Sequence, residues 1–449
     1  MKKLIVVNVV GLTKNSFDDV LLPNLSKIFT KGFCSSIIPS FPAVTCSVQS
    51  SITSGYYPAD HGIISNGFYD RDTKQVSFWE QYDSLVQKPR IWDILKKANP
   101  KLKTAVLFWQ NSLYTNSDFV ITPKPLHLED TTIMWCYSKP VNYYEEIVQH
   151  MGEFDLKWYW GPFASIKSSQ WIIDASMYTI KKYSPDLVLV YLPHLDYSSQ
   201  KHGPQSNEFK QSLVEIDNMI GDLLDFLDTN EFGDTYEIMI HSEYGFNEVS
   251  HSLSPNILLR QNGLLSIRNI LGKEYIDFEN SNAFAMVDHQ IAHIFIKSGY
   301  DDVVTSIFKK EKNIARILDK ESQIKLNINH PRSGELILYA TDSCWFNYYW
   351  WEDENHAPSF TFSVDIHRKP GYDPLELFFD PITKRISHDT SLIKGSHGVF
   401  DSEITDMLPI FGMSIKPKKE TNVMDVTQIA PTILKFFNCS YSLPNDSIL

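Results

Sequence analysis

Three apolar runs of this chain are each followed by polar residues that can hold a metal ion or move a proton. The run 4–10 carries Asn8, the run 186–192 leads into His194, Asp196 and Gln200, and the run 236–241 leads into Ser242-Glu243-Tyr244-Gly245. A hydroxyl stands beside them in the sequence logic: Thr45, in Phe41-Pro42-Ala43-Val44-Thr45-Cys46-Ser47. A Pro-containing loop leads Thr45 into a helix start, where backbone N–H groups and the helix dipole stabilise an oxygen that gains negative charge. On this segment alone an N-cap is the simpler role for Thr45. Further clusters are His202, His251, Asp288-His289 with His293, and Asp365-x-His367-Arg368-Lys369. His202 can rotate toward the group around Gln200. On a strand, His289 and His293 share a face and are co-ligand candidates; the alternative for each is a hydrogen-bonded packing histidine. Arg368 and Lys369 are anion-binding candidates, or else a solvated surface pair.

The elements that must position these groups follow from periodicity. Short runs rich in Val and Ile at 4–10, 104–109, 186–192 and 236–241 alternate with helical patterns at 169–183 and 207–227. That alternation predicts an α/β fold, a mostly parallel central sheet with helices on both faces. Ligands of such sheets sit at the carboxyl ends of the strands, where the polar residues fall. From about 253 to 370 the pattern changes to short strands and an aromatic cluster (Trp345, Phe346, Tyr348, Tyr349, Trp350, Trp351). We therefore expect a first core part at 1–252, an inserted or cap subdomain at 253–370 whose aromatics pack and wall a pocket, and a return to the core at 371–449.

The chain has 449 residues, enough for one large domain or a domain with an insertion. Its formal net charge of −13 excludes a general binder of nucleic-acid polymers. It leaves room for a small anionic metabolite held by local cations. The five cysteines, Cys34, Cys46, Cys136, Cys344 and Cys439, form no CxxC pair, which fits a reducing compartment. The apolar start after Lys2-Lys3 is short and contains Asn8, so it reads as a buried strand rather than a signal peptide. No later run is long enough to span a bilayer, and a cytoplasmic location is expected. The sequence carries no signal for an oligomeric state.

One longer pattern is specific. Phe41-Pro42-x-x-Thr45, then Thr53-x-Gly55-x-Tyr57-Pro58-x-x-His61-Gly62-Ile63, then Asn66 and Tyr69-Asp70, resembles the nucleophile segment of the nucleotide pyrophosphatase/phosphodiesterase family of the alkaline phosphatase superfamily. Asp196-x-x-x-Gln200-x-x-Gly203-Pro204, Ser242-Glu243-Tyr244-Gly245 and Gly395-Ser396-His397-Gly398 resemble its later landmarks, in the same order. The resemblance implies an alkaline-phosphatase-like core, Thr45 as the nucleophile that attacks phosphorus, Asn66 as a holder of phosphoryl oxygens, and a divalent-metal site. Carried over by position, one metal falls to Asn8, Thr45, Glu243 and Tyr244, and the other to Asp196, Gln200 and His397.

Four of these positions depart from the family's usual ligands: Asn8 and Glu243 replace Asp, and Tyr244 and Gln200 replace His. The remaining set is mostly oxygen, which leans toward Mg²⁺, Mn²⁺ or Ca²⁺ rather than a pair of Zn²⁺ ions, with one ion expected near Asp196 and His397. The expected activity is metal-dependent hydrolysis of a phosphodiester or pyrophosphate-like metabolite through a covalent phosphoenzyme. The alternatives are a metabolite-binding protein on the same fold, or a sulfate or phosphonate ester hydrolase.

Overall fold

The computed structural model describes residues 2–127, 132–418 and 420–449. Its main sheet is built from β1 (Lys3–Val9), β2 (Phe33–Ile38), β3 (Thr104–Leu107), β4 (Phe119–Pro123), β5 (Cys136–Lys139), β6 (Leu187–Leu192) and β7 (Tyr236–His241), completed by two strands from the end of the chain. A second sheet lies between them in sequence: β8 (Ala283–Asp288), β9 (Ile291–Ile296), β10 (Ile314–Leu318) and β11 (Leu336–Ala340). The closing strands are β12 (Ile410–Met413) and β13 (Val423–Asp425).

The nine strands of the main sheet lie in the order β13-β2-β12-β7-β1-β6-β3-β4-β5. The central block β7-β1-β6-β3-β4 is parallel, and β12 inserts antiparallel between β2 and β7. β1 and β6 are apolar along their length because both faces of the sheet are covered. Helices α1 (Pro23–Lys31), α5 (Ile166–Tyr183) and α7 (Asn207–Thr229) pack together on one side. Helices α2 (Thr45–Ser54), α3 (Ile91–Ala98) and α8 (Ile429–Phe436) form the other group, while α4 (Tyr143–Met151) lies against β5 and α6 (His194–His202) against α7. No helix among the described residues is long and apolar enough to cross a membrane.

The parallel register sets the site. Asn8 pairs with Tyr191 on one side and His241 on the other, so the residues that follow β1, β6 and β7 emerge at one edge. The second sheet, antiparallel in the order β8-β9-β11-β10, carries its own apolar core. The aromatic run is part of that core: Trp345, Phe346, Tyr348 and Trp350 are buried, and Trp350 Nε1 donates to Glu274 O at 3.1 Å.

Candidate active site

Thr45 is the first residue of α2 and is 4% exposed. Its Oγ1 lies 2.9 Å from Tyr244 Oη. Tyr244 Oη in turn donates to Asp196 Oδ1 at 3.5 Å, so the single phenol proton points to Asp196 and the Thr45 hydroxyl donates to Tyr244. Asp196 and Gln200 lie four residues apart on α6, where Gln200 Nε2 donates to Asp196 Oδ2 at 2.6 Å. Asn8 Nδ2 and Gln49 Nε2 (2.6 Å) both donate to Glu243 Oε1. Asn66 Oδ1 accepts from Cys46 N at 2.9 Å and so fastens the first turn of α2.

The late loop closes over these groups by backbone pairing. Residues 395–396 pair with 247–248, and Ala43 N donates to Gly398 O at 3.1 Å, which zips His397 against the Thr45 loop. Only glycine suits position 395, since a Cβ there would stand 2.2 Å from Ser199 O on α6. His397 Nδ1 donates to Ala43 O at 2.8 Å, leaving Nε2 as a bare acceptor 3.8 Å from Asp196 Oδ1.

A further pair enters from the second sheet. His289 and Gln290 form the turn between β8 and β9, and His289 adopts the left-handed conformation (φ +57°) that a tight hairpin turn requires. This tip inserts beside His397. Asp288 accepts from His289 Nδ1 (2.7 Å), Ser65 Oγ (2.6 Å), Asn66 N (2.8 Å) and Asn66 Nδ2 (3.1 Å). Tyr372 covers His289 and donates from Oη to Gln200 Oε1 at 2.8 Å.

Burial dominates the electrostatics. It pushes Glu243 up to about 8, against the hydrogen bonds from Gln49 and Asn8, and Asp196 up to about 6, against the pull of His289. Burial, then the Asp196 and Glu243 carboxyls, raises the Tyr244 phenol well above its usual range. Burial and the neighbouring His289 hold His397 well below the usual histidine range, so its ring is neutral. Asp288 runs the other way: burial opposes its charge, yet His289, Ser65 and the Asn66 N–H together hold it below the usual carboxylate range.

The structure brings together Asn8, Thr45, Asn66, Asp196, Gln200, Glu243, Tyr244 and His397. It separates the other candidates. His202 is exposed at the end of α6 and lines a cavity of about 550 Å³ with His194, Lys201 and Glu215, away from the face that carries Asp196 and Gln200. Lys369 is neither an anion site nor a surface residue: it is 1% exposed and bonded to Glu376 (2.6 Å) and Asp373 (2.8 Å). Arg368 is exposed and paired with Asp365, and His367 is exposed as well. His289 and His293 are not co-ligands, because His289 sits in the turn rather than on the strand. His293, on β9, is bonded through its two ring nitrogens to Ile64 O and Gly334 N, each at 3.2 Å.

Gln49 and Tyr372 are site residues that the sequence reading missed. Gln49 carried a faint signal, one helical turn beyond Thr45 on a helix whose residues are all buried. Tyr372 carried none, since it reaches Gln200 across 172 residues.

The family model for type I phosphodiesterase / nucleotide pyrophosphatase matches residues 4–373. The chain belongs to the type I phosphodiesterase / nucleotide pyrophosphatase family. By family it is a phosphodiesterase- or pyrophosphatase-like hydrolase. It is 22% identical to mouse ectonucleotide pyrophosphatase/phosphodiesterase family member 7 over 342 residues, which are 75% of this chain and 69% of that protein. It is 25% identical over 403 residues to ectonucleotide pyrophosphatase/phosphodiesterase 1 of Saccharomyces cerevisiae, covering 84% of this chain and 46% of that one. The fold matches that of murine ectonucleotide pyrophosphatase / phosphodiesterase 5 with a TM-score of 0.65 at 14% identity, over 99% of this chain and 98% of that one. The same murine protein has been solved as an inactive threonine-to-alanine variant in complex with AMP, with a TM-score of 0.63 to this chain at 14% identity, over 100% of this chain and 98% of that one.

Members of this phosphodiesterase family depend in general on divalent metal, and the donors here can be tested against that need. Among the described residues no group of three or more His, Cys, Asp or Glu side chains is placed to hold an ion. The half-site at Thr45 fits one poorly: Asn8 offers an N–H to Glu243 Oε1 where a second carboxylate is needed, and only Asn8 Oδ1 and Glu243 Oε2, both buried without partners, are left to meet an ion. The half-site at Asp196 keeps one carboxylate oxygen and one buried, unpartnered imidazole nitrogen, His397 Nε2. Those two donors suit a single ion.

Proposed function

We propose that this chain hydrolyses phosphoric diesters or pyrophosphate-like esters with Thr45 as the nucleophile. The observation that carries the reading is the hydrogen-bonded chain Thr45 Oγ1–Tyr244 Oη–Asp196 Oδ1, with steps of 2.9 and 3.5 Å at the start of α2. At neutral pH Asp196 is ionised and Tyr244 is a neutral phenol, so the Thr45 proton passes to Tyr244 as the phenol proton passes to Asp196. A bond forms between Thr45 Oγ1 and phosphorus, and the bond to the leaving alkoxide or phosphate breaks. Water then attacks phosphorus as the bond to Thr45 Oγ1 breaks; the proton on Asp196 returns through Tyr244 to Thr45, the attacking water gives a proton to solvent, and the leaving oxygen takes one from it. Asn66 has one amide hydrogen committed to Asp288 and a second left to hold a non-bridging phosphoryl oxygen.

A divalent ion held by Asp196 and His397 supplies positive charge for the phosphoryl group when bound. The candidate cations Arg368 and Lys369 are engaged elsewhere, so a monoanionic diester suits the site better than a dianionic monoester. The inactive threonine-to-alanine variant of the murine phosphodiesterase 5 supports threonine as the residue type.

The test is hydrolysis of bis-p-nitrophenyl phosphate against the p-nitrophenyl monoester, sulfate and phosphonate, across Mg²⁺, Mn²⁺, Ca²⁺, Zn²⁺ and chelator, with Thr45→Ala alongside. Diester turnover that disappears in Thr45→Ala is expected. Turnover that survives in Thr45→Ala refutes the nucleophile, and no turnover on any ester leaves a binding protein on this fold.

A further inference from the structure

We propose that in this chain Tyr244 takes the place of one of the two metal ions, so that the nucleophile is held by a phenol and at most one divalent ion enters the site. Four rings form a continuous stack through the site. Tyr372 lies on His289 with centroids 3.7 Å apart and planes at 19°, His289 on His397 at 3.7 Å and 36°, and His397 on Tyr244 at 3.6 Å and 8°. Every ring in the stack is 4% exposed or less. Rings at van der Waals separation leave no volume for an ion between them.

The stack is clipped at both ends by the same pair of side chains. Tyr372 Oη donates to Gln200, Gln200 donates to Asp196, and Tyr244 Oη donates to the other oxygen of Asp196. On the Thr45 side Asn8 Nδ2 and Gln49 Nε2 both donate to Glu243 Oε1, which leaves Asn8 Oδ1 and Glu243 Oε2, one neutral and one carboxyl oxygen, without partners. An ion there would need a second negative ligand to offset its desolvation, and Asn8 provides none. The 2.9 Å hydrogen bond between Thr45 and Tyr244 is therefore what orients the hydroxyl. The substitutions Asn8, Glu243, Tyr244 and Gln200 act together: two remove charge or direct it inward, and two attach the ring stack.

This inference rests on Thr45 being the nucleophile, but its test counts metal rather than turnover. The purified full chain is incubated with excess zinc, desalted and analysed for metal by mass spectrometry. The wild type is expected to retain at most about one zinc ion per chain. A variant carrying Asn8→Asp, Gln200→His, Glu243→Asp and Tyr244→His is expected to retain about one more. Two ions in the wild type overturn the inference whether or not the four-site variant folds. A folded four-site variant that takes up no more zinc than the wild type overturns it as well. A wild type that binds at most one ion and hydrolyses no ester sinks the hydrolase reading, and the role of Thr45 with it, but bears out the replacement of one ion by Tyr244.

Discussion

Replacing Glu243 with glutamine gives a protein that is more stable than the wild type at alkaline pH. The Glu243 carboxyl is fully buried, and burial raises its pKa from 4.5 to about 8. Below pH 4.5 both folded and unfolded chains carry the proton, and the shift costs nothing. Between 4.5 and about 8 the unfolded chain loses the proton while the folded one keeps it, so stability falls as pH rises through that window. At about 1.4 kcal/mol per pKa unit, the cost reaches about 5 kcal/mol above the window. The hydrogen bonds explain why glutamine is a good mimic of the protonated form. The new amide can still accept from Asn8 and Gln49 through its oxygen, and it puts N–H groups where Glu243 Oε2 now has no partner. One of those N–H groups stays unpaired, which offsets about 1 kcal/mol of the gain. Asp196 also loses stability between 3.8 and about 6, but equally in both proteins, so it cancels in the difference. Urea unfolding at pH 5, 7 and 8.5, in chelator, measures the effect. Equal stability at pH 5 and a gain of about 4 kcal/mol at pH 8.5 are expected for Glu243→Gln. A variant no more stable than the wild type at pH 8.5 refutes the reasoning, because it means that folding does not raise the Glu243 pKa.

Asp288→Asn loses an acceptor that serves His289, Ser65 and Asn66 at once, so a loss of about 2–4 kcal/mol in urea unfolding is expected, with diester turnover falling as Asn66 loosens. Unchanged stability would mean that the hairpin tip does not depend on this carboxylate. Lys369→Met leaves Asp373 and Glu376 buried without a counter-charge and is expected to cost about 3–5 kcal/mol. Replacing all three by apolar residues should recover most of that loss in the same assay, and failure to do so would show that the cluster does more than neutralise itself.

Much of the architecture is local and was readable from residues alone. The run 4–10 is apolar on both faces, which only a covered central strand tolerates, and β1 lies at the middle of the sheet with β6 and β7 on either side. That arrangement puts Asn8, Asp196, Glu243 and Tyr244 on one edge, because parallel strands in register deliver their following residues together. The four-residue spacing of Asp196 and Gln200 was visible, but it was the structure that put the two on a helix, where Gln200 reaches Asp196. Long-range closure is a different matter. Lys369 looked like half of a basic surface pair, and only the fold brings Asp373 and Glu376 around it. His289 and His293 looked like neighbours on a strand until a two-residue turn took His289 out of the strand and into the site. Tyr372, Gln200 and Asp196 meet across 172 and more residues, and no periodicity encodes such a meeting. The sequence by itself determined which chemical groups are present and which strands deliver them, since these depend on local pattern. Tertiary structure decided what the groups do to one another, because proton position, ring stacking and the room for a metal depend on distances that only the packed chain sets.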